Sequence, residues 1–317
     1  MPWIVLALLL LGALAGVTHL EARRLEARFP PLGDFADVDG VSLHYSVAGP
    51  ADAAMPPIVL LHGASTSLLD FHASLTPPLA RRYRVIAVDR PGHGYSERPA
   101  ASGGGWPDPA EQARLLHGLL EQLDVERPLL VGHSLAGAVV LAYLLAYPDE
   151  SAGGVLLAGG SHPWQGGVSW YNDLAGVPLV GRLFAHTLPM TVGRLLLGDG
   201  LAEAFAPNQP PPDYLKRTGV PLTLRPATFL ANAEDVRLLS PFLERQSAHY
   251  ASIRRPLLLI TGDADAVVPA WNHAERLVQQ APSAELVRLP EIGHGLHHVA
   301  TERVAALIDD FARRVAD

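Results

Sequence analysis

The sequence predicts an α/β fold in which a mostly parallel central sheet carries helices on both faces. Three observations lead to this prediction. Short apolar runs alternate with helical patterns, as in parallel sheets whose strands are joined by helices. One apolar run turns into a helix through small residues around Ser134. Polar residues follow several predicted strands, where parallel strands end at one edge of a sheet and ligands bind.

The N-terminal segment, residues 1–28, is predicted to be a hydrophobic helix outside this sheet. Residues 3–20 are almost continuously apolar and approach the roughly 20 residues that span a bilayer. We favour an uncleaved single membrane span, and the arginines that follow it slightly favour a cytoplasmic catalytic domain. The alternative is a signal peptide cleaved near the small residues 12–16, which gives a secreted or periplasmic protein. A buried core helix fits less well, because the segment has no polar face.

The remaining elements follow in order. A hairpin of strands 35–38 and 41–47 is predicted first, because Asp39-Gly40 between them is typical of tight turns. A further strand precedes Ser134. The other apolar runs predict strands at residues 56–61, 83–88, 154–157, 256–260 and 285–289. Helical patterns predict helices at residues 68–80, 110–123, 135–147, 270–280 and 298–314.

The alternation stops between residues 161 and 250. This stretch is rich in proline and carries scattered aromatic residues, so we predict a mostly helical cap that covers the strand ends. The core is then formed by residues 29–160 and 251–317.

Composition excludes several classes of function. The chain has 317 residues and a net charge of −8, without the basic stripe that nucleic-acid binding requires. It has no cysteine, which excludes a disulfide scaffold, a cysteine nucleophile and a thiolate metal site. No Gly-x-Gly-x-x-Gly opens a first βα unit, so no cofactor is predicted. His294, His297 and His298 cluster in sequence, but no carboxylate lies at a matching spacing, and no metal is predicted.

The segment from Gly132 to Gly137 is the strongest local signal. A strand that turns sharply into a helix through small residues can hold the Ser134 hydroxyl at a helix N-terminus, as in a nucleophile elbow. Ala136 occupies the place of the second glycine of the usual pattern and is still small. An ordinary turn with an N-capping serine is the alternative.

A serine nucleophile needs a base, and a histidine base needs a carboxylate that orients it. Asp263 and Asp265 follow one predicted strand, and His294 follows the next. The chain order Ser134, Asp265, His294 is the order expected with a nucleophile elbow. The residues alone leave the two aspartates in competition for the acid role.

Three further motifs strengthen this pattern. His62-Gly63 follows the third predicted strand, an Asp-x-Pro-Gly-x-Gly-x-Ser motif covers Asp89 to Ser96, and Gly-x-x-Asp-x-x-Val-Pro covers Gly262 to Pro269. Together they resemble the α/β-hydrolase fold superfamily over about residues 35–317. The resemblance is to its cap-bearing branch, which includes esterases, carbon–carbon bond hydrolases and cofactor-free haloperoxidase-like enzymes.

The resemblance implies a set of roles. Ser134 is the expected nucleophile, His294 the base and Asp265 the acid, and the backbone N–H groups of Ala64 and Leu135 are the expected oxyanion donors. Other residues are expected to be structural. Asp263 should bind nearby backbone, His62 and Asp89 should brace loops, His133 should pack, and His297 and His298 should be exposed or capping residues.

The implied activity is that of a serine hydrolase. We expect cleavage of a small apolar carboxylic ester through an acyl-enzyme intermediate, with no cofactor. A carbon–carbon bond hydrolase or haloperoxidase-like perhydrolase with the same triad is the first alternative. A non-catalytic member of the fold that binds a small ligand is an alternative of another class.

Overall fold

A computed structural model of the chain describes residues 2–99 and 107–316. Its centre is one eight-stranded sheet. The strands are β1 (Asp34–Val38), β2 (Val41–Ala48), β3 (Ile58–Leu61), β4 (Val85–Val88), β5 (Leu129–His133), β6 (Gly153–Leu157), β7 (Leu257–Gly262) and β8 (Ala284–Leu289).

The strand order across the sheet is β1-β2-β4-β3-β5-β6-β7-β8. The six strands β4, β3, β5, β6, β7 and β8 are parallel to one another. Strand β2 pairs antiparallel with both β1 and β4. The predicted hairpin is confirmed: Val38 pairs with Val41, and both Asp39 and Gly40 adopt the positive φ that a two-residue turn requires. The parallel strands share one carboxyl edge, which is the edge where β5, β7 and β8 end.

Thirteen α-helices lie in the described residues. They are α1 (Pro2–Arg28), α2 (Leu69–His72), α3 (Thr76–Leu79), α4 (Pro109–Gln122), α5 (Ala136–Ala146), α6 (Trp170–Ala175), α7 (Val180–Thr187), α8 (Arg194–Phe205), α9 (Tyr214–Arg217), α10 (Pro226–Ser247), α11 (Ala274–Gln280), α12 (Leu296–Val299) and α13 (Thr301–Arg314). A π-helix covers Pro189–Gly193, and 3₁₀ helices cover Val220–Leu224 and Tyr250–Ser252.

Each face of the sheet is covered by its own apolar core. On one face, leucines of α4 and valines of α5 pack against the sheet, and α11 joins them. On the other face, Phe71, Leu75 and Leu79 pack with Ile308 and Phe311 of α13. The predicted arrangement of a mostly parallel sheet with helices on both faces is therefore confirmed.

Two predicted helices are broken in the structure. The helix predicted over residues 68–80 forms two short helices, α2 and α3. Pro77 and Pro78 lack the N–H groups that would bond the carbonyls four residues earlier, so a continuous helix cannot run through them. The last helix, predicted over 298–314, is likewise preceded by a separate turn of helix, α12.

Helices α6 to α10 all lie between β6 and β7, in the stretch predicted as the cap. The longest of them, α10, is tied to the core by a buried ion pair. Arg90, which follows β4, places its Nη1 2.7 Å from Oδ2 of Asp235, and both side chains are almost inaccessible to solvent.

The N-terminal helix α1 is long and apolar enough to cross a membrane, which a signal sequence can also be. It lies against α7, the π-helix and the 3₁₀ helix that begins at Val220. Leu25 and Phe29 are buried there with Met190, Leu222 and Leu224.

Candidate active site

Ser134 occupies a sharp turn between β5 and α5. Its φ of +52° lies in the left-handed region, which residues other than glycine rarely adopt and which clusters at functional sites. The turn is held by its backbone: the Ser134 N–H donates to the Leu157 carbonyl at 2.9 Å, and the Ser134 carbonyl accepts from Gly137 and Gly160. The half-buried side chain thus stands at the start of α5, as the sequence predicts.

Small residues are required around Ser134 because neighbouring backbone atoms leave no room for a side chain. A Cβ on Gly132 would lie 2.6 Å from the carbonyl oxygen of Ala136, and one on Gly137 would lie 2.8 Å from Cα of Gly159. Both distances are shorter than atoms can tolerate, so neither position accepts a side chain without movement. Ala136 is fully buried and fits. The alanine in place of the usual second glycine is therefore compatible with the turn.

Asp265 and His294 form a direct buried pair. Oδ2 of Asp265 lies 2.9 Å from Nδ1 of His294. Oδ1 of the same carboxylate accepts hydrogen bonds from the backbone N–H groups of Val267 and Val268 at 2.8 and 2.9 Å. These bonds fix the carboxylate, and a carboxylate facing Nδ1 favours the tautomer with a proton on that nitrogen. Nε2 is then left as the basic nitrogen of His294.

Asp263 makes a different contact. Its Oδ1 accepts the backbone N–H of Glu291 at 2.6 Å, which links the loops after β7 and β8. The prediction that Asp263 binds nearby backbone is confirmed. Of the two aspartates, Asp265 is the one hydrogen-bonded to His294.

His133 connects the Ser134 turn to the His294 loop. Its Nε2 lies 3.3 Å from the His294 carbonyl oxygen, and the two imidazole rings are 4.8 Å apart. Burial lowers the pKa of His133 well below its usual value, so it stays neutral and packs, as predicted. In residues 2–99 and 107–316 the Ser134 hydroxyl has no hydrogen-bond partner. The structure pairs Asp265 with His294 directly, but it shows no hydrogen bond between His294 and Ser134.

The loop of residues 62–65, here called the oxyanion loop, lies directly against Ser134. A Cβ placed on Gly63 would be 3.0 Å from the Cβ of Ser134. Within the described part of the chain, the N–H groups of Ala64 and Leu135 donate to no acceptor. Two backbone N–H groups without an acceptor therefore lie near Ser134, one in the loop that contacts it and one on the residue after it.

His62 braces this loop. Its Nδ1 lies 2.8 Å from the Gly63 carbonyl, and its Nε2 accepts the backbone N–H of Arg90 at 3.0 Å. Burial, and next the nearby Arg90 charge, lower the pKa of His62 to about 3. Asp89 is also structural, since its carboxylate accepts the N–H groups of Leu68 and Tyr95. Both predictions are confirmed.

Sequence reasoning missed the part of α10 that supports this loop. Asn232 accepts the Ser65 N–H at 2.6 Å through Oδ1, and its Nδ2 donates to the Ser65 hydroxyl at 3.1 Å. Asp235, three residues later, holds Arg90. No motif marks either residue, because their partners lie about 140 to 170 positions away. Their helical spacing of three is the signal that they share a face of α10.

One wall beside the serine is apolar. Leu135 and Ala138 pack with three residues of α10, Leu239, Phe242 and Leu243. Ala64, Trp164 and Val236 complete this cluster. The groups that flank the two free N–H donors can therefore bury an apolar part of a substrate.

The prediction for His297 and His298 is wrong. Neither is an exposed or capping residue: both side chains are at most 3% accessible, and their Nε2 atoms lie 2.7 and 2.8 Å from the carboxylate of Asp70. Burial alone would raise the pKa of Asp70, but His298 and His297 outweigh it and hold that pKa well below its usual value. Tyr214 also donates to Asp70, at 2.8 Å. No motif in the sequence indicates this cluster, because Asp70 lies more than 220 positions away from the two histidines.

This cluster is the group of described residues that could ligate a metal, since one donor atom from each of Asp70, His297 and His298 lies within 4.8 Å of the others. As placed, both histidine nitrogens bond the carboxylate directly. The cluster lies next to His133, whose ring is 4.3 Å from that of His297. It therefore packs against the residue that precedes Ser134.

The sequence model of the α/β-hydrolase fold matches residues 56–301, which include Ser134, Asp265 and His294. The chain belongs to the α/β-hydrolase fold family. A solved α/β-hydrolase fold protein from Burkholderia ambifaria superposes with a TM-score of 0.71 at 24% identity. That match covers 88% of this chain and 97% of the other.

Two curated relatives of this α/β hydrolase carry different activities. One is a 2-hydroxy-6-oxononadienedioate/2-hydroxy-6-oxononatrienedioate hydrolase of Burkholderia vietnamiensis, 29% identical over 87% of this chain and 93% of that protein. The other is the dihydrolipoyllysine-residue acetyltransferase component of an acetoin cleaving system in Pseudomonas putida. It is 32% identical over 81% of this chain, and the match spans 64% of that longer protein.

Proposed function

We propose that this α/β hydrolase is a serine hydrolase that cleaves carboxylic esters through an acyl-enzyme intermediate. The observation that carries the proposal is the bond between Asp265 and His294, which leaves Nε2 of His294 as a base at the strand edge where Ser134 stands. The hydroxyl of Ser134 has no competing hydrogen-bond partner among the described residues, and the proposed reaction requires it to donate its proton to that nitrogen when substrate is bound.

The reaction has two steps. Oγ of Ser134 attacks the ester carbonyl carbon while Nε2 of His294 takes the hydroxyl proton, and the alcohol leaves with that proton. Water then attacks the acyl-enzyme, giving its proton to His294, and the acid leaves as Ser134 recovers its hydroxyl. In both steps the carbonyl oxygen becomes negative, and the N–H groups of Ala64 and Leu135 stabilise it.

The apolar cluster beside the serine supports an apolar ester as substrate. Trp164, Val236, Leu239 and Phe242 border Leu135 and Ala64, so a hydrocarbon chain placed next to the oxyanion donors is removed from water. The buried cation near the site, Arg90, is already paired with Asp235. It therefore offers no charge to a substrate carboxylate.

A carbon–carbon bond hydrolase is the second candidate. It is favoured by the likeness to the Burkholderia vietnamiensis hydrolase, whose substrates are dienedioates and trienedioates. Such substrates carry two carboxylates, whereas the cluster at the serine is apolar. A haloperoxidase-like perhydrolase remains a further alternative. It would form the same acyl-enzyme and transfer the acyl group to hydrogen peroxide instead of water.

The test is turnover of p-nitrophenyl esters of graded acyl length, compared with a 2-hydroxy-6-oxo dienoate. We expect ester hydrolysis that is lost in Ser134→Ala, and little cleavage of the dienoate. Faster dienoate cleavage would replace the ester proposal with the second candidate. Ligand binding that is unchanged in Ser134→Ala, with no turnover by the wild type, would indicate a non-catalytic binding protein.

We also propose that α1 attaches the protein to a membrane. The length and apolar composition of Pro2–Arg28 support this, with a single span and a cytoplasmic catalytic domain as the form that the sequence favours. Signal cleavage, giving a secreted or periplasmic protein, is the alternative. Fractionation of expressing cells with an antibody against the C-terminus tests it, since a cleaved and soluble product would overturn the attachment.

A further inference from the structure

One stripe of α1 is docked on the cap. The buried or half-buried positions recur at spacings of about three and four residues and lie on one face of the helix. They are Leu11, Leu14, Ala15, Thr18, Glu21, Ala22 and Leu25. Two ion pairs fix the same face: Glu21 with Arg194 of α8, and Glu26 with Arg225. The helix is thus part of the folded protein from Leu11 onward.

The free part of α1 is too short to cross a bilayer by itself. Residues 2–10 are all exposed, and nine helical residues extend only about 13 Å at 1.5 Å each. The hydrocarbon core is about 30 Å thick. If more of α1 than residues 2–10 enters the membrane while the helix stays docked, the cap segments that pack on it must also contact the lipid.

The cap segments that pack on α1, and the helices next to them, carry an exposed apolar surface. We call it the cap apolar surface. Its members belong to α6, α7, the π-helix and α8, or to the turn before α7. They are 49 to 79% accessible: Trp170, Leu179, Val180, Leu183, Val192, Leu195 and Leu196. Soluble monomers rarely expose so many large apolar side chains on neighbouring segments.

The elements next to the cap apolar surface indicate what binds to it. Helix α7 and the π-helix pack directly on α1, the helix that also carries the exposed apolar residues Trp3 to Leu10. Arg182 of α7 is an exposed cation among these residues, whereas Arg194 of α8 is paired with Glu21. An apolar surface next to an apolar helix that is long enough to enter a membrane suits a bilayer better than a second protein.

We propose that the cap apolar surface binds the lipid bilayer together with the exposed end of α1, so that the cap lies against the membrane. This inference rests on the proposed membrane attachment through α1, and it is independent of the reaction at Ser134. It holds both for a helix that enters one leaflet and for a helix that crosses, because the docked stripe brings the cap to the lipid in either case.

The chain has no cysteine, so single cysteines can be labelled with a nitroxide without background. The full-length protein carries one label at a time, at Leu183→Cys or Leu195→Cys on the cap, at Val5→Cys on α1, or at Val47→Cys on β2. Val47 is the matched control, because it is an apolar residue with 45% accessibility, close to the 50% of Leu183, on an element outside the cap.

The proteins are reconstituted in vesicles of phosphatidylcholine with a minority of phosphatidylglycerol, and the accessibility of each label to oxygen and to a water-soluble nickel chelate is measured. We expect the labels at 183, 195 and 5 to be reached by oxygen and shielded severalfold from nickel, and the label at 47 to remain accessible to nickel. Circular dichroism and thermal unfolding verify the fold of each labelled protein.

The possible failures are distinguishable. A lipid-buried label at 5 with labels at 183 and 195 in water would overturn the inference and leave the attachment intact. Labels in water at all positions would overturn the attachment as well. Dipolar broadening between copies labelled at 183, without oxygen accessibility, would replace the bilayer with a second copy of the chain. Ester turnover is measured separately, so none of these outcomes depends on the proposed reaction.

Discussion

The two aspartates after β7 provide a sharp test of the site. In Asp265→Asn, the amide oxygen can still accept the N–H groups of Val267 and Val268, so the loop should keep its shape. The amide NH₂ group then faces Nδ1 of His294 and favours the tautomer with the proton on Nε2. A histidine in that tautomer cannot take the proton of Ser134, and the loss in kcat should approach about 10⁴-fold, or about 5 kcal/mol.

The matched control is Asp263→Asn. Its amide oxygen can still accept the Glu291 N–H, and it has no contact with His294, so kcat should stay within about threefold of wild type. Steady-state hydrolysis of a p-nitrophenyl ester gives both values, and urea unfolding should show changes below about 1 kcal/mol for both variants. A large loss in Asp263→Asn together with near-normal turnover in Asp265→Asn would refute the assignment of the acid.

Three further predictions concern the supports of the site. Asp235→Asn leaves the charge of Arg90 buried without its full partner and should lower the free energy of unfolding by about 3–5 kcal/mol in urea titrations; a loss below about 1 kcal/mol would contradict this. Asn232→Ala should lower kcat about tenfold with little change in KM, because the oxyanion loop loses its hydrogen bonds to α10. An unchanged kcat would show that the loop needs no support from α10. Burial, and next the charge of Arg90, lower the pKa of His62 and of His93, a buried histidine in the loop after β4, from 6.5 to about 3. The unfolded chain therefore binds protons first, and each histidine should cost up to about 1.4 kcal/mol of stability per pH unit as the pH falls from 6.5 toward 3. A urea midpoint at pH 5 equal to that at pH 7 would contradict this.

The Ser134 turn and the positions of Asp265 and His294 could be predicted because each depends on a short stretch of sequence. The turn at Ser134 needs glycine at positions 132 and 137, and both requirements are visible in six residues. Asp265 and His294 could be found because each follows a strand of a parallel sheet, and all such strands end at one edge. The choice between Asp263 and Asp265 needed either the resemblance or the coordinates.

The long-range partners could not be predicted in this way. His297 and His298 look like ordinary residues at a helix start until Asp70 is placed beside them. Asp235 looks like an exposed acid of a polar helix until Arg90 is found against it. In each case a buried charge is compensated by a residue from a distant element, and only the packing of the cap and core brings the two together.

The face of α1 that packs on the protein could not be predicted from the sequence either. Its composition is apolar on every side, so periodicity does not reveal which stripe faces the protein. The stripe is defined by the cap residues Met190, Leu222 and Leu224, which come from segments without a clear pattern of their own. The segment predicted as an independent anchor is therefore partly a structural element of the fold.

The most direct test of the proposed mechanism is a double-mutant cycle between Ser134→Ala and His294→Ala, measured as kcat for one ester. If the two residues act as a unit, each single variant should lose several orders of magnitude, and the double variant should be no slower than the worse single variant. Losses that multiply in the double variant, or a Ser134→Ala enzyme within about tenfold of wild type, would contradict a serine nucleophile activated by His294.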